Sequence, residues 1–159
     1  MEFEDIVRRY QKQLYVVAYH YLQNQHDAED TVQEVFLRLL TLEKAFESDE
    51  HLKYWLIRTT INRCKSQLRA PWRRRSAPLD EAMGLVSAPQ DRNREVREAV
   101  LALPQKYREV VILYYYADYS CAEIADLLHR RTTTVQTQLQ RARGLLRETL
   151  KEAFDDEPT

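Results

Sequence analysis

Residues 119–143 read YSCAEIADLLHRRTTTVQTQLQRAR, and this stretch decides the fold. Ser120-Cys121-Ala122-Glu123 is a Ser-x-x-Glu capping box, in which serine and glutamate each satisfy an orphan backbone N–H at a helix start. It opens a short helix through Leu128 with Ile124, Ala125, Leu127 and Leu128 as its apolar side. A polar turn over His129, Arg130 and Arg131 follows. A second helix then begins within Thr132 to Thr134 and places Val135, Leu139, Ala142 and Leu146 on one face. A short helix and a second helix split by a polar turn make a helix–turn–helix. The opposite face of its second helix presents Thr133, Thr137, Gln140 and Arg141, flanked by Gln136, Gln138 and Arg143. Threonine and glutamine can read base edges in a major groove, and arginine can bind phosphate or guanine. The plain alternative is an ordinary solvated helix face.

Upstream, Val96, Val100, Leu101 and Leu103 predict a short helix, and Pro104 suits the first turn of the next, where its missing N–H costs nothing. That next helix is expected to bury Tyr107, Val110, Val111, Leu113 and Tyr114. From Pro71 to about Asp91 the chain holds three of its five prolines and one of its two glycines, with little periodicity. A structureless stretch of about 20 residues is uncommon inside one domain, so it reads as a linker. Such a linker, if flexible, spans about 25 Å on average and at most about 75 Å. Before it, three helices are expected. The first carries Ile6, Val7, Tyr10, Leu14, Val17, Ala18 and Tyr21. The second starts near Asp27 and carries Ala28, Val32, Val35, Phe36 and Leu39, with Asp27, Glu29 and Asp30 in its first turn. The third runs from about His51 to Ala70, with Leu52, Trp55, Leu56, Thr59 and Leu68 inward, and ends before Pro71.

Composition agrees with an all-α chain. Only 2 glycines accompany 44% hydrophobic and 31% charged residues in 159, too few glycines for the turns of a β-rich fold. No apolar run approaches the roughly 18 residues of a membrane span, and MEFEDIVRRY lacks the pattern of a signal peptide. Direct membrane insertion is therefore not expected, and two cysteines, Cys64 and Cys121, point to a reducing cytoplasm. Neither cysteine has a spaced Cys or His neighbour, and His20, His26, His51 and His129 are scattered, so no metal site can be nominated. With no glycine-rich phosphate loop and no nucleophile–base pair, neither a cofactor nor an enzymatic activity is expected.

The net charge of -1 hides segregation. Residues 1–50 balance at -6; residues 51–75 carry eight bases and no acid; residues 129–147 carry five arginines and no acid. Two acid-free basic blocks suit a polyanion at two sites. In the first, Tyr54 and Trp55 precede Arg58, Asn62, Arg63, Lys65, Gln67 and Arg69, a mixture suited to a single strand or an opened duplex. For Trp55 itself the core reading is the stronger one. Asp27, Glu29, Asp30, Gln33 and Glu34 form an acidic and amide ridge suited to a basic helical partner, with Asp30, Glu34 and Arg38 on one face.

LQNQHDAEDTVQEVFLRLL (22–40), YWLIRTTINRC (54–64), the proline-containing linker, LPQKYREVVILYYYADYSCAEIADLL (103–128) and TVQTQLQRARGLL (134–146) together resemble the extracytoplasmic-function sigma factors of bacterial RNA polymerase. The likeness covers nearly the whole chain in order and spacing. It implies two small helical domains joined by a flexible linker: a region 2 bundle over 1–70, the linker over 71–91 and a region 4 helix–turn–helix over 92–154. The implied function is an alternative sigma factor that binds core polymerase and directs promoter-specific initiation. Docking to the β′ coiled coil would use Asp27, Asp30, Gln33, Glu34 and Arg38. Melting and capture of the minus-ten element would use Trp55, Arg58, Asn62, Arg63, Lys65 and Arg69. Reading of the minus-thirty-five element would use Arg130, Arg131, Thr133, Thr134, Gln136, Thr137, Gln140, Arg141 and Arg143. Promoter DNA, the β′ coiled coil and β flap of core polymerase, and an anti-sigma factor are the implied partners.

The chain departs from the family pattern in the turn. His129, Arg130 and Arg131 stand where Gly, an apolar residue and a small or polar residue are usual, and Gln136-Thr137-Gln138 stands where Lys-Ser-Arg is common. Loss of the glycine demands a different turn or a non-glycine residue at φ > 0, at roughly 1 kcal/mol. An unusual promoter preference is expected. Two other readings use the same residues: a DNA-binding regulator that does not engage polymerase, and a protein-interaction module.

Overall fold

A computed structural model describes residues 2–43, 45–70 and 92–155, and every regular element in them is helical. The linker expected over 71–91 lies outside the described residues. The chain divides into two units, Met1–Leu85 and Val86–Thr159.

In the first unit α1 (Phe3–Leu22), α2 (Gln25–Thr41) and α3 (Asp49–Arg69) all pack against one another. Gln23 ends α1 in the left-handed region (φ 51°, ψ 36°), its N–H bonded to the Tyr19 carbonyl at 2.7 Å. The Asn24 side chain then accepts from the Asp27 N–H at 2.9 Å, so α2 starts at Gln25. Sequence periodicity placed that start two residues later; the cap moves it earlier and leaves Asp27 alone of the three acids in the first turn. The core is built from Tyr10, Leu14, Val17 and Tyr21 of α1, Val32, Val35 and Phe36 of α2, and Leu52, Leu56, Ile57 and Ile61 of α3. Complete burial of a leucine such as Leu14 or Leu56 contributes about 2 kcal/mol.

The roll of α3 differs from its sequence reading. Leu52 and Leu56 point inward as expected, but Ile57, Thr60, Ile61 and Cys64 complete the buried face, and Trp55, Thr59 and Leu68 are half-buried. Thr60 tolerates burial because its hydroxyl donates to the Leu56 carbonyl at 2.8 Å. Trp55 instead covers the edge of the bundle, 5.9 Å from the Phe46 ring. Ala70, the residue before Pro71, is extended (φ -68°, ψ 132°).

The second unit comprises α4 (Arg92–Leu101), α5 (Gln105–Val111) continuing into a π-helical turn (Ile112–Tyr116), α6 (Cys121–Leu128) and α7 (Thr132–Asp155). The long α7 is the spine on which α4, α5 and α6 pack. Pro104 is the cap residue of α5 (φ -54°, ψ 147°) rather than its first helical residue. Val110, Val111, Ile112 and Leu113 are buried, whereas Tyr107 and Tyr114 are half-buried. Val96, an expected core position, is exposed. Buried Arg108 donates to the carbonyls of Leu103 (2.7 Å) and Leu101 (3.3 Å), satisfying acceptors at the end of α4. The Ser120–Glu123 capping box has both of its bonds, at 3.1 and 2.9 Å. α6 stops at His129, which takes the left-handed conformation (φ 57°, ψ 50°), and the Arg130 N–H closes back on the Ala125 carbonyl at 2.9 Å. The missing glycine is thus met by a strained histidine, not by a different turn.

Candidate functional site

Three surfaces collect the residues singled out by sequence. On α2, burial of Ala28, Val32, Val35 and Phe36 turns Asp30, Gln33, Glu34 and Arg38 outward, with Asp27 half-buried. Asp30 lies 3.6 Å from His26, one turn earlier. Gln33 borders a groove of about 780 Å³ between α1 and α2, walled by Arg8, Lys12 and Glu29 over Val32 and Phe36. Sequence reasoning passed over Leu37 and Leu40, which are 61% and 57% exposed beside this ridge. The available signal was their offset from the 28/32/35/36 stripe, which places both on the outer side of the helix.

On α3, positions 55, 58, 62, 65 and 69 recur at three- and four-residue steps, so the roll that buries Ile57, Ile61 and Cys64 gathers Trp55, Arg58, Asn62, Lys65 and Arg69 on the outer side. Arg58, Asn62 and Arg69 are exposed, Trp55 and Lys65 half-buried. Arg63 leaves this stripe. Its guanidinium Nε donates to Glu34 of α2, while Gln67 one turn on donates to the Thr31 hydroxyl at 2.7 Å. One nominated polymerase contact and one nominated DNA contact therefore pair with each other.

On the helix–turn–helix, buried Val135, Leu139 and Ala142 fix the roll of α7, and Thr133, Thr134, Gln136, Thr137, Gln140, Arg141 and Arg143 are exposed. Arg131 is exposed where the chain enters α7, its carbonyl accepting from the Val135 N–H at 3.1 Å. Arg130 turns inward. It donates to the carboxylate of Glu109, a residue buried on α5, to Gln138 Oε1 at 2.9 Å and to the Lys106 carbonyl at 3.4 Å. Arg143 Nε donates to the Tyr115 hydroxyl at 2.6 Å, an acceptor that raises its already high pKa, and its guanidinium lies 5.5 Å from both the Tyr114 and Tyr115 ring centres. A hollow of about 300 Å³ is lined by Lys106 and Tyr107 of α5 and by Thr133, Thr134, Thr137, Gln138 and Arg141 of α7. Lys106 and Tyr107 were not among the nominated residues; their place beside Pro104, at the start of the helix that buttresses α7, was the readable clue.

Among the described residues, no group of three or more His, Cys, Asp or Glu side chains could hold a metal ion, and no helix is long and apolar enough to cross a membrane. What the surfaces offer is charge and base-edge chemistry. Residues 6–74 match the family model for sigma-70 region 2, and residues 93–146 match that for sigma-70 region 4. The ECF RNA polymerase sigma factor SigW of Bacillus subtilis is 30% identical over 94% of this chain and 89% of its own length. The chain belongs to the extracytoplasmic-function sigma factors. It is an alternative sigma factor directing transcription initiation. SigV of Bacillus subtilis is likewise 30% identical, over 87% of this chain and 84% of its own. The fold is shared with the sigma factor RpoE of Bartonella quintana, solved in complex with the anti-sigma factor NepR: TM-score 0.74 at 23% identity, covering 94% of this chain and 96% of that one.

Proposed function

We propose that this sigma factor divides its work among the three surfaces. Region 2, assigned to residues 1–70, docks the β′ coiled coil of core RNA polymerase through Asp27, Asp30, Gln33, Glu34 and Arg38, with Leu37 and Leu40 giving the ridge an apolar contact. The stripe of Trp55, Arg58, Asn62, Lys65 and Arg69 captures the non-template strand of the minus-ten element by stacking and phosphate contact. Arg63 braces α3 against α2 through Glu34, so that docking and strand capture share one rigid corner. Region 4, assigned to residues 92–154, engages the β flap and reads the minus-thirty-five element in the major groove with α7. Arg131, Arg141 and Arg143 supply its positive edge, and Arg130 holds the turn in place. The chain acts in the cytoplasm, and the solved Bartonella complex supports an anti-sigma factor as a further partner.

The observation that carries this reading is the α2–α3 corner: an acidic ridge with two exposed leucines on one helix, and an acid-free cationic stripe on the helix packed beside it. A stand-alone DNA-binding regulator needs no such ridge. Reconstituted transcription tests it. Purified bacterial core polymerase is mixed with the chain and genomic DNA, and transcript starts are mapped. Starts that require the chain and share a motif at a fixed upstream distance are expected; none with folded chain, beside tight duplex binding by the free protein, would favour the regulator.

A further inference from the structure

The outer face of α7 separates two kinds of chemistry. With Val135, Leu139 and Ala142 buried, Thr133, Thr137 and Gln140 occupy the row farthest from the core, and Gln136 lies alongside; all four are exposed. Residues 132–140 contain no charged side chain. Gln138 is drawn to the flank, where its amide oxygen accepts from Arg130 at 2.9 Å. Arg130, the other arginine of the turn, is directed toward buried Glu109. The exposed cations near this stretch lie before, beside or beyond it: Arg131 at the entrance to the helix, Lys106 across the hollow on α5, and Arg141 on the same outer face as Thr137 but one turn further along.

The major groove distinguishes these chemistries. Guanine presents two acceptors, which a guanidinium or ammonium matches. Adenine presents a donor and an acceptor, which a carboxamide matches with its own acceptor and donor, and thymine presents a methyl group against which a threonine methyl packs. The first nine residues of α7, the end that a recognition helix sets against base edges, turn carboxamides and threonines outward and lack the groups that specify guanine. Resting on the assignment of α7 as the minus-thirty-five reader, we infer that this helix recognises A·T base pairs, with Gln136 and Gln140 as adenine readers and Thr133 and Thr137 as thymine-methyl contacts. Arg131, Lys106 and Arg141, which flank this stretch, fix its position on the phosphates, contacts that carry no sequence preference.

The test is selection from a duplex library randomised across the upstream element, run in two arms: the full chain bound to core polymerase and the free full chain. Wild type is expected to recover a motif centred on A·T pairs, with adenine favoured about tenfold at the glutamine-read positions. Gln136→Arg is expected to switch one position from adenine to guanine by a similar factor and leave the other positions alone, which a merely structural role for Gln136 would not do. A G·C-centred motif from wild type, no motif in either arm, or a uniform loss of binding in Gln136→Arg would overturn the inference. Failure to bind core polymerase while the free chain still selects A·T pairs would contradict the polymerase reading and leave this one standing.

Discussion

On α3 the positions 55, 58, 62, 65 and 69 form one outer stripe with three cations, while on α7 the first nine residues show hydroxyls and amides outward and no charge. The first pattern suits a strand held by its backbone and stacked bases, where charge dominates and sequence matters less. The second suits base edges in an intact groove. Both basic blocks are free of acids in sequence, yet their arginines meet different fates. Arg58 and Arg69 are exposed, Arg63 braces α3 against α2, and Arg130 locks the turn to α5. A count of cations therefore overstates the charge offered to a ligand.

The largest expected effect breaks that lock. Arg130→Ala leaves the buried Glu109 carboxylate without the guanidinium it pairs with and should destabilise the second unit by about 3 kcal/mol. Amide hydrogen exchange in α6 and α7 would then quicken by about 100-fold. Arg131→Ala, at an exposed position, should stay within about 0.5 kcal/mol of wild type. Equal losses in the two variants would show that Arg130 is an ordinary surface cation.

The next effect sharpens the contrast between helices. Replacing Arg58, Lys65 and Arg69 together by alanine should lower the log–log salt slope of open-promoter formation by about 2, as expected for three single-strand phosphate contacts. Arg141→Ala alone should lower the slope of upstream-element binding by about 1. A triple variant with unchanged salt dependence would remove α3 from the DNA interface.

Two smaller effects concern the backbone. His129→Gly should stabilise the second unit by about 1 kcal/mol, because glycine enters the left-handed region without the Cβ penalty. Gly144→Ala should add about 0.5 kcal/mol, since a Cβ built there meets nothing within 4 Å. Chemical denaturation followed by hydrogen exchange in α7 reads both. A loss of stability in His129→Gly would mean that the histidine side chain, not its backbone, holds the turn.

Much of this was legible because it is local. The capping box at Ser120–Glu123, the apolar stripe of α1 and the strained His129 each depend on residues within one or two turns. The roll of α3 was not legible, because Leu52 and Leu56 belong to two overlapping stripes and a tryptophan outweighs a threonine in any sequence reading. The structure chose the stripe containing Thr60, whose hydroxyl finds a carbonyl within its own helix. The partners of Arg63 and Arg130 were equally hidden, lying 29 and 21 residues away. The outward leucines of α2 escaped notice because isolated exposed leucines are common; only their place beside the acidic ridge gives them meaning.

The most direct test of the account is titration of the fluorescently labelled chain with purified bacterial core RNA polymerase, beside an Asp30→Lys, Leu37→Glu double variant. Both side chains are exposed, so the variant should keep its fold and its helical circular-dichroism spectrum. Nanomolar binding by wild type, weakened at least tenfold in the variant, is the predicted result. No binding by folded wild type, or equal binding by the two proteins, would contradict the α2 ridge as the polymerase-docking surface.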